Sequence, residues 1–264
     1  MNQFLIEELS NWYSPDKRIL FITGAGISVD SGLPTYRGVA GLYEEKETED
    51  NVPIEVALSG GMFQSRPELT WKYLMQIGEA CRGKTFNRGH LILAELEDCF
   101  EQVWVLTQNI DGFHLDAGSR NVIEIHGTMR RLICTDCGTV TPMGELDVDH
   151  VPPVCKACHG MMRPDVVLFD ERLPVEATEE LQLQLQTGFD AVLVVGTSAL
   201  FPYISHPVRL ANRSGSLTIE INPATTDLSS LVDFKLDLPA TEGLQLFRDA
   251  LLGIVGQADR EKRC

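Results

Sequence analysis

Four cysteines fall in two pairs, Cys134-x-x-Cys137 and Cys155-x-x-Cys158. Each pair offers two thiolates from one turn, and two such turns meeting complete a tetrahedron around zinc. Four thiolates leave the ion no open position, so one structural zinc per chain is expected. His150 and His159 lie near the pairs and are read as solvated neighbours. A redox role for the two Cys-x-x-Cys pairs is the alternative.

A second group of residues suits a large polar ligand. Gly24-Ala25-Gly26-Ile27-Ser28 follows an apolar run. Two glycines let backbone amides approach a pyrophosphate, and a helix start there would add its positive end. A tight strand-to-helix turn is the plain alternative. Val29 stands where a dehydrogenase fingerprint has its third glycine, so that glycine is missing. Glu44 and Glu45 lie at about the distance where that fold holds its ribose-binding acid, yet no apolar strand leads to them. An ordinary hydride-transfer site is therefore disfavoured.

Further on come Thr107-Gln108-Asn109-Ile110-Asp111 and Glu124-Ile125-His126-Gly127, then Gly196-Thr197-Ser198 and Glu220-Ile221-Asn222. Amides, a carboxylate and an imidazole suit hydroxyl recognition and mild proton transfer near neutral pH. His90, His114 and His206 are read as structural or exposed.

The elements that must position these residues are legible as short apolar, β-branched runs at 18–23, 102–107, 121–126, 166–169, 191–195 and 216–221. Helical periodicity lies between several of them, at about 67–81, 89–99, 174–186 and 205–214, with a short amphipathic helix before Trp12. Near-continuous apolar strands alternating with helices predict an α/β fold, a parallel sheet covered on both faces. Ligands on such sheets sit at the carboxyl ends of strands, which is where each polar cluster falls. Two stretches break the pattern: 38–51, acidic and without a strand, and 131–162, which holds the cysteines and little that could form a core. Residues 257–264 read as a solvated tail.

The chain has 264 residues, 44% hydrophobic and 23% charged, enough for one large domain and a smaller insertion. Its net charge of −16 is the wrong sign for nucleic acid and favours basic partners such as lysine-rich segments. Seven cysteines with no even disulfide framework suit a reducing compartment. No stretch approaches a membrane span and the start carries no secretory signal, so a cytoplasmic protein without membrane contact is expected.

Taken in order, Gly-Ala-Gly-Ile-Ser, Ser31-Gly32-Leu33-Pro34-Thr35-Tyr36-Arg37, Thr-Gln-Asn-Ile-Asp, Ile-His-Gly, the paired Cys-x-x-Cys, Arg163-Pro164-Asp165-Val166-Val167-Leu168-Phe169, Gly-Thr-Ser and Ile-Asn resemble the sirtuin family, in its compact bacterial form. The resemblance covers about 15–250. It implies a Rossmann-like NAD-binding domain (1–37, 88–130 and 163–256) and a small domain made of a helical module (38–87) and a zinc ribbon (131–162). It implies NAD-dependent removal of acyl groups from protein lysine, consuming NAD to give nicotinamide and O-acyl-ADP-ribose. An ADP-ribosyltransferase or NAD hydrolase in the same cleft is the runner-up; an idle NAD sensor or scaffold and a zinc-ribbon nucleic-acid binder are rivals of other classes. A monomer is expected.

By the same resemblance, Gly24, Ala25, Gly26 and Ser28 line the phosphate and ribose site. Arg37 orients the cofactor, Tyr36 shields the reacting ribose, Gln108 and Asn109 bind ribose and position the attack, and Asp111 stands by the nicotinamide. His126 is the general base. Gly196, Thr197 and Ser198 meet phosphate and ribose, Asn222 the adenosine ribose and Ala240 the adenine. Val167 and Phe169 lie along the acyl-lysine tunnel. Three departures stand out: Tyr36 where Phe is usual, Asp170 where Gly is usual, and Leu74-x-x-Ile77 where members preferring acidic acyl groups carry Tyr-x-x-Arg. With no cation there to meet a second carboxylate, neutral acyl groups are expected, acetyl first.

Overall fold

The computed structural model describes residues 3–35, 48–145 and 151–261. Its strands are, in chain order, β1 (Arg18–Thr23), β2 (Gln102–Thr107), β3 (Val122–Glu124), β4 (Gly127–Cys134), β5 (Val140–Pro142), β6 (Met162–Val166), β7 (Ala191–Val195), β8 (Leu217–Ile221) and β9 (Phe234–Leu236). Six of them form one sheet, in the order β3-β2-β1-β7-β8-β9, with every pairing parallel. The chain leaves β1 toward β2 and β3 and returns on the other side through β7. The strand order thus reverses between β1 and β7, and that reversal opens a crevice at the strands' carboxyl ends.

Alternation along β1 and β7 divides the core into two layers. Ile19, Phe21, Leu193 and Val195 pack with Leu5 and Leu9 of helix Gln3–Trp12, with Ile92, Leu93 and Leu96 of helix Arg88–Leu96, and with Leu244 and Phe247 of helix Ala240–Glu261. Leu20, Ile22, Val192 and Val194 pack on the opposite face with Leu181 of helix Val175–Thr187 and with Ile204 and Val208 of helix Pro202–Ser214. Each such side chain removed from water contributes about 1.5–3 kcal/mol, which is why both faces must be covered. The boundaries of β1, β2 and β7 are those expected, because each is a short apolar run closed by polar residues.

A second sheet, β5-β4-β6, is antiparallel, with a bulge between Thr128 and Leu132. It packs against helices Ile54–Ala57, Gly60–Ser65 and Pro67–Cys81 through a third core that includes Phe63, Trp71, Leu74, Leu132, Met162 and Leu168. The Trp71 indole N–H donates to the Met162 carbonyl at 3.1 Å, so helix and ribbon share one buried bond. Removing that ring (Trp71→Ala) would cost about 3–5 kcal/mol.

Three expectations are corrected. The strand expected at 166–169 ends at Val166 and belongs to the antiparallel sheet, not the parallel one. Beyond it the Val167 N–H donates to the His126 carbonyl and the Phe169 N–H to the Leu58 carbonyl, both at 2.9 Å, so the segment is extended but serves two different partners. The 131–162 stretch does contribute core, since Leu132, Cys134, Cys155 and Met162 are buried. The last helix runs to Glu261, into the stretch read as tail.

Candidate active site

The loop after β1 and the loop after β7 touch backbone to backbone. The Gly24 N–H donates to the Val195 carbonyl at 3.2 Å and the Gly26 N–H to the Gly196 carbonyl at 2.9 Å. A Cβ on Gly26 would stand 2.6 Å from the Gly196 Cα, and one on Gly24 would stand 2.6 Å from the Thr197 Cβ. Both positions therefore need glycine for close approach. Ala25–Ser31 is a short 3-10 helix, with Ile27 and Ser28 buried and Val29 exposed. Its outer end is tied to Asn87, whose amide donates to the Ile27 carbonyl at 2.7 Å and to the Ser31 hydroxyl at 3.0 Å. Asn87 also caps helix Arg88–Leu96 by accepting from the Gly89 N–H. One side chain thus starts a core helix and anchors the loop, and losing the cap alone costs about 1 kcal/mol.

Asn109, buried at the end of β2, points its amide back at this loop, donating to the Gly24 carbonyl at 3.1 Å and lying 3.2 Å from Ser28 Oγ. The Ser28 hydroxyl donates to Asp111 at 2.7 Å, and the Phe113 N–H donates to the other carboxylate oxygen at 3.0 Å. Burial raises the Asp111 carboxyl above its ordinary range, opposed by those two hydrogen bonds. The Gln108 amide donates to Thr197 Oγ1 at 2.7 Å, and Asn222 donates to the Thr197 carbonyl at 2.9 Å. Ala240 is buried at the first turn of the last helix. The loops after β1, β2, β7 and β8 are therefore one hydrogen-bonded rim around the crevice.

His126 follows β3 and is half-buried. Its Nδ1 lies 3.0 Å from the Gln108 carbonyl oxygen and its Nε2 lies 2.7 Å from the Tyr203 hydroxyl. Burial pushes the imidazole below its ordinary range, and the bond to the Gln108 carbonyl pulls it partly back. The ring is therefore neutral at working pH, as a base must be. Tyr203 has no role in the reading of the sequence, because nothing in its type or spacing sets it apart from an ordinary helix-start aromatic.

Val167 is half-buried and bonded to the His126 carbonyl, so the expected tunnel residue is adjacent to the expected base. Phe169 is half-buried, and its carbonyl accepts from the Gly60 N–H at 3.0 Å. Asp170 adopts a left-handed φ of 64°, a value that glycine takes freely and Asp tolerates better than most residues. Its carboxylate also accepts from the Gly60 N–H at 3.1 Å, so the departure from Gly is accommodated by a contact to the helical module. Leu74 is buried in the third core and Ile77 is half-buried against it. Tyr36 and Arg37 lie outside the described residues, as does His150. His90 and His114 are buried beneath the rim, their rings 4.8 Å apart.

Sγ atoms of Cys134, Cys137, Cys155 and Cys158 all lie within 4.8 Å of one another. Cys134 and Cys158 are 3.4 Å apart and Cys137 and Cys155 3.8 Å. A tetrahedral zinc with bonds of about 2.3 Å needs sulfur–sulfur edges of about 3.8 Å, so the cluster fits the ion. The Ala157 and Gly160 N–H groups each donate to a thiol sulfur at 3.4 Å, the outer support expected of thiolate ligands. His159 is exposed and outside this set.

A model of the Sir2 family matches residues 24–201. The chain belongs to the Sir2 family. An NAD-dependent protein deacylase 2 from Pseudomonas aeruginosa is 53% identical over 226 residues, covering 83% of this chain and 87% of that protein. Among solved structures, a Sir2 homologue mutant in complex with ADP-ribose has a TM-score of 0.84 at 30% identity, covering 97% of this chain and 98% of that one. A complex of Sir2 with a p53 peptide and NAD+ has a TM-score of 0.77 at 27% identity, covering 94% and 97%. The parallel sheet with its helices and the cysteine cluster are thus those of a Sir2 fold. No described helix is long and apolar enough to cross a membrane.

Proposed function

We propose that this Sir2 chain is an NAD-dependent protein-lysine deacylase acting on neutral acyl groups, acetyl first. The observation that carries the reading is the convergence on one rim of a neutral, half-buried imidazole, His126, with the amides of Gln108 and Asn109. The names of the relatives support the same activity. NAD supplies an electrophilic ribose carbon as nicotinamide leaves.

The chain's own residues do the rest. Gly24, Ala25, Gly26 and Ser28, with Gly196, Thr197 and Ser198, form the phosphate and ribose floor, where the glycines let backbone approach closely. Asn222 and Ala240 serve the adenosine end. Gln108 and Asn109 orient the reacting ribose, and such positioning is a large part of what catalysis requires. Asp111 stands beside the nicotinamide; by the family resemblance Arg37 orients the cofactor and Tyr36 shields the reacting ribose. His126 takes a proton from a ribose hydroxyl at Nε2. Val167 and Phe169 wall the acyl-lysine, and Leu74 and Ile77, set in and against the small-domain core, offer no cation or hydroxyl to an acidic acyl group. Structural zinc would hold together the two turns of the ribbon (131–162), which with the helical module (38–87) makes the small domain beside the nucleotide-binding domain (1–37, 88–130 and 163–256). A cytoplasmic location fits described cysteines that form no disulfide.

The test is a mass-spectrometric screen of acetyl-, longer fatty- and succinyl-lysine peptides with NAD. An unpaired second carboxylate in an apolar pocket costs several kcal/mol, so acetyl should exceed succinyl by at least 100-fold in kcat/KM. Succinyl turnover as fast as acetyl turnover would remove the acyl preference. NAD cleavage indifferent to acyl-lysine would remove the deacylase reading itself.

A further inference from the structure

His126 is held at both ring nitrogens. A carbonyl oxygen only accepts, so the bond to Gln108 requires the ring proton on Nδ1 and leaves Nε2 bare. The Tyr203 O–H then donates to Nε2 at 2.7 Å, the one ring atom free to take a proton. Tyr203 opens helix Pro202–Ser214, and its ring stacks on Phe201 with centroids 5.3 Å apart and planes at 10°. Both rings meet the imidazole edge-on, at 5.8 and 5.9 Å. Between this pair and the Gly196-Thr197-Ser198 loop stands Ala199, at a φ of 51°. That left-handed value is uncommon for a residue with a Cβ, so the segment carrying Tyr203 is held by its anchors and not by its own preference.

We propose that Tyr203 is the positioning residue for His126, donating to Nε2 of the Nδ1–H form that the Gln108 carbonyl selects and standing in the free enzyme where the substrate hydroxyl stands during turnover. The inference deepens the deacylase reading, since it takes His126 as the base. During turnover the Tyr203 hydroxyl leaves Nε2 and keeps its proton; the ribose O–H bond breaks and an Nε2–H bond forms in its place. Burial raises the phenol to about 12, so Tyr203 is a donor and never the base near neutral pH. Among the described residues no charged side chain enters the His126 titration: burial lowers it and the Gln108 carbonyl raises it.

Substituting Tyr203→Phe keeps the stack on Phe201 and removes only the hydroxyl. The direct readout is ring-nitrogen NMR of His126 in the full, substrate-free chain across pH. Wild type should show the Nδ1–H tautomer. The Tyr203→Phe midpoint should lie about half to one pH unit higher, because the lost bond had stabilised the neutral ring. An Nε2–H tautomer in wild type, or an unmoved midpoint, overturns the proposal. The wild-type tautomer is informative even if the variant does not fold, and neither NMR readout needs turnover. Failure of the deacylase reading is thus seen separately, as absent acyl-lysine-dependent NAD cleavage. In kinetics, the acid limb of kcat/KM, which reports the free enzyme, should move up more than that of kcat. Equal movement of both limbs would show that Tyr203 stays on Nε2 in the complex, contrary to the proposal.

Discussion

The Ser28 hydroxyl donates to the Asp111 carboxylate at 2.7 Å, joining the loop after β1 to the loop after β2. Asn109 reaches the same hydroxyl at 3.2 Å, so three side chains from two loops share one polar knot. A carboxylate in such a place works against folding, because burial raises its pKa above the unfolded value. The cost to the fold points to a use in the site.

Asp111→Asn should therefore separate stability from activity. The variant should melt no lower than wild type at pH 7, while NAD-dependent turnover falls at least tenfold. Thermal melting and a deacylation assay on the same preparation check this. A lower melting temperature with turnover intact would make Asp111 a structural residue.

Acid should destabilise the protein through its buried histidines. Burial lowers His90 from 6.5 to about 4 and His114 well below 6.5, so the unfolded chain binds protons that the folded one refuses. Stability is full above pH 6.5 and declines as pH falls toward the folded values. For His90 alone the loss is about 2 kcal/mol between pH 6.5 and 5, at 1.36 kcal/mol per unit. Urea unfolding at pH 7, 6 and 5 should show it, and His90→Asn, which keeps an acceptor for the Asn87 N–H, should flatten the slope by that amount. Equal slopes in variant and wild type would contradict the assignment.

The four-cysteine cluster should hold one zinc per chain by elemental analysis. Cys137 is exposed, so Cys137→Ser removes a ligand without opening a core cavity. Metal binding is folding energy in such a site. Both the variant and chelated wild type should lose order around β4–β6, seen as faster amide exchange there, with turnover lost in parallel. Unchanged exchange after the metal is removed would show that the ribbon does not depend on it.

The strands of the nucleotide-binding sheet were legible where one apolar run has polar ends, as in β1, β2 and β7. Missed strands have other causes. β4 carries Arg130 and Arg131 and is held by its antiparallel partners and the cysteine cluster, so it lacks the apolar run of a buried strand. β9 is a short edge strand with no buried residue. Val167–Phe169 has strand composition because it is extended, but its partners are His126 and Leu58, far apart in sequence. In the site, glycines and polar residues at strand ends were legible by type, since close backbone approach and hydroxyl recognition demand those types. Tyr203 was not, because its contact with His126 depends on how helix Pro202–Ser214 is docked. Local sequence holds no trace of that docking.

The central claim is that NAD cleavage here is coupled to acyl-lysine through His126. The most direct measurement is the ratio of nicotinamide released to acetyl-lysine peptide deacetylated, for wild type and His126→Ala. Wild type should give one-to-one release with O-acetyl-ADP-ribose as the co-product, and the variant should be slower by about 10²–10⁴-fold. Nicotinamide release that continues without acetyl-lysine, or full turnover by His126→Ala, would contradict the account.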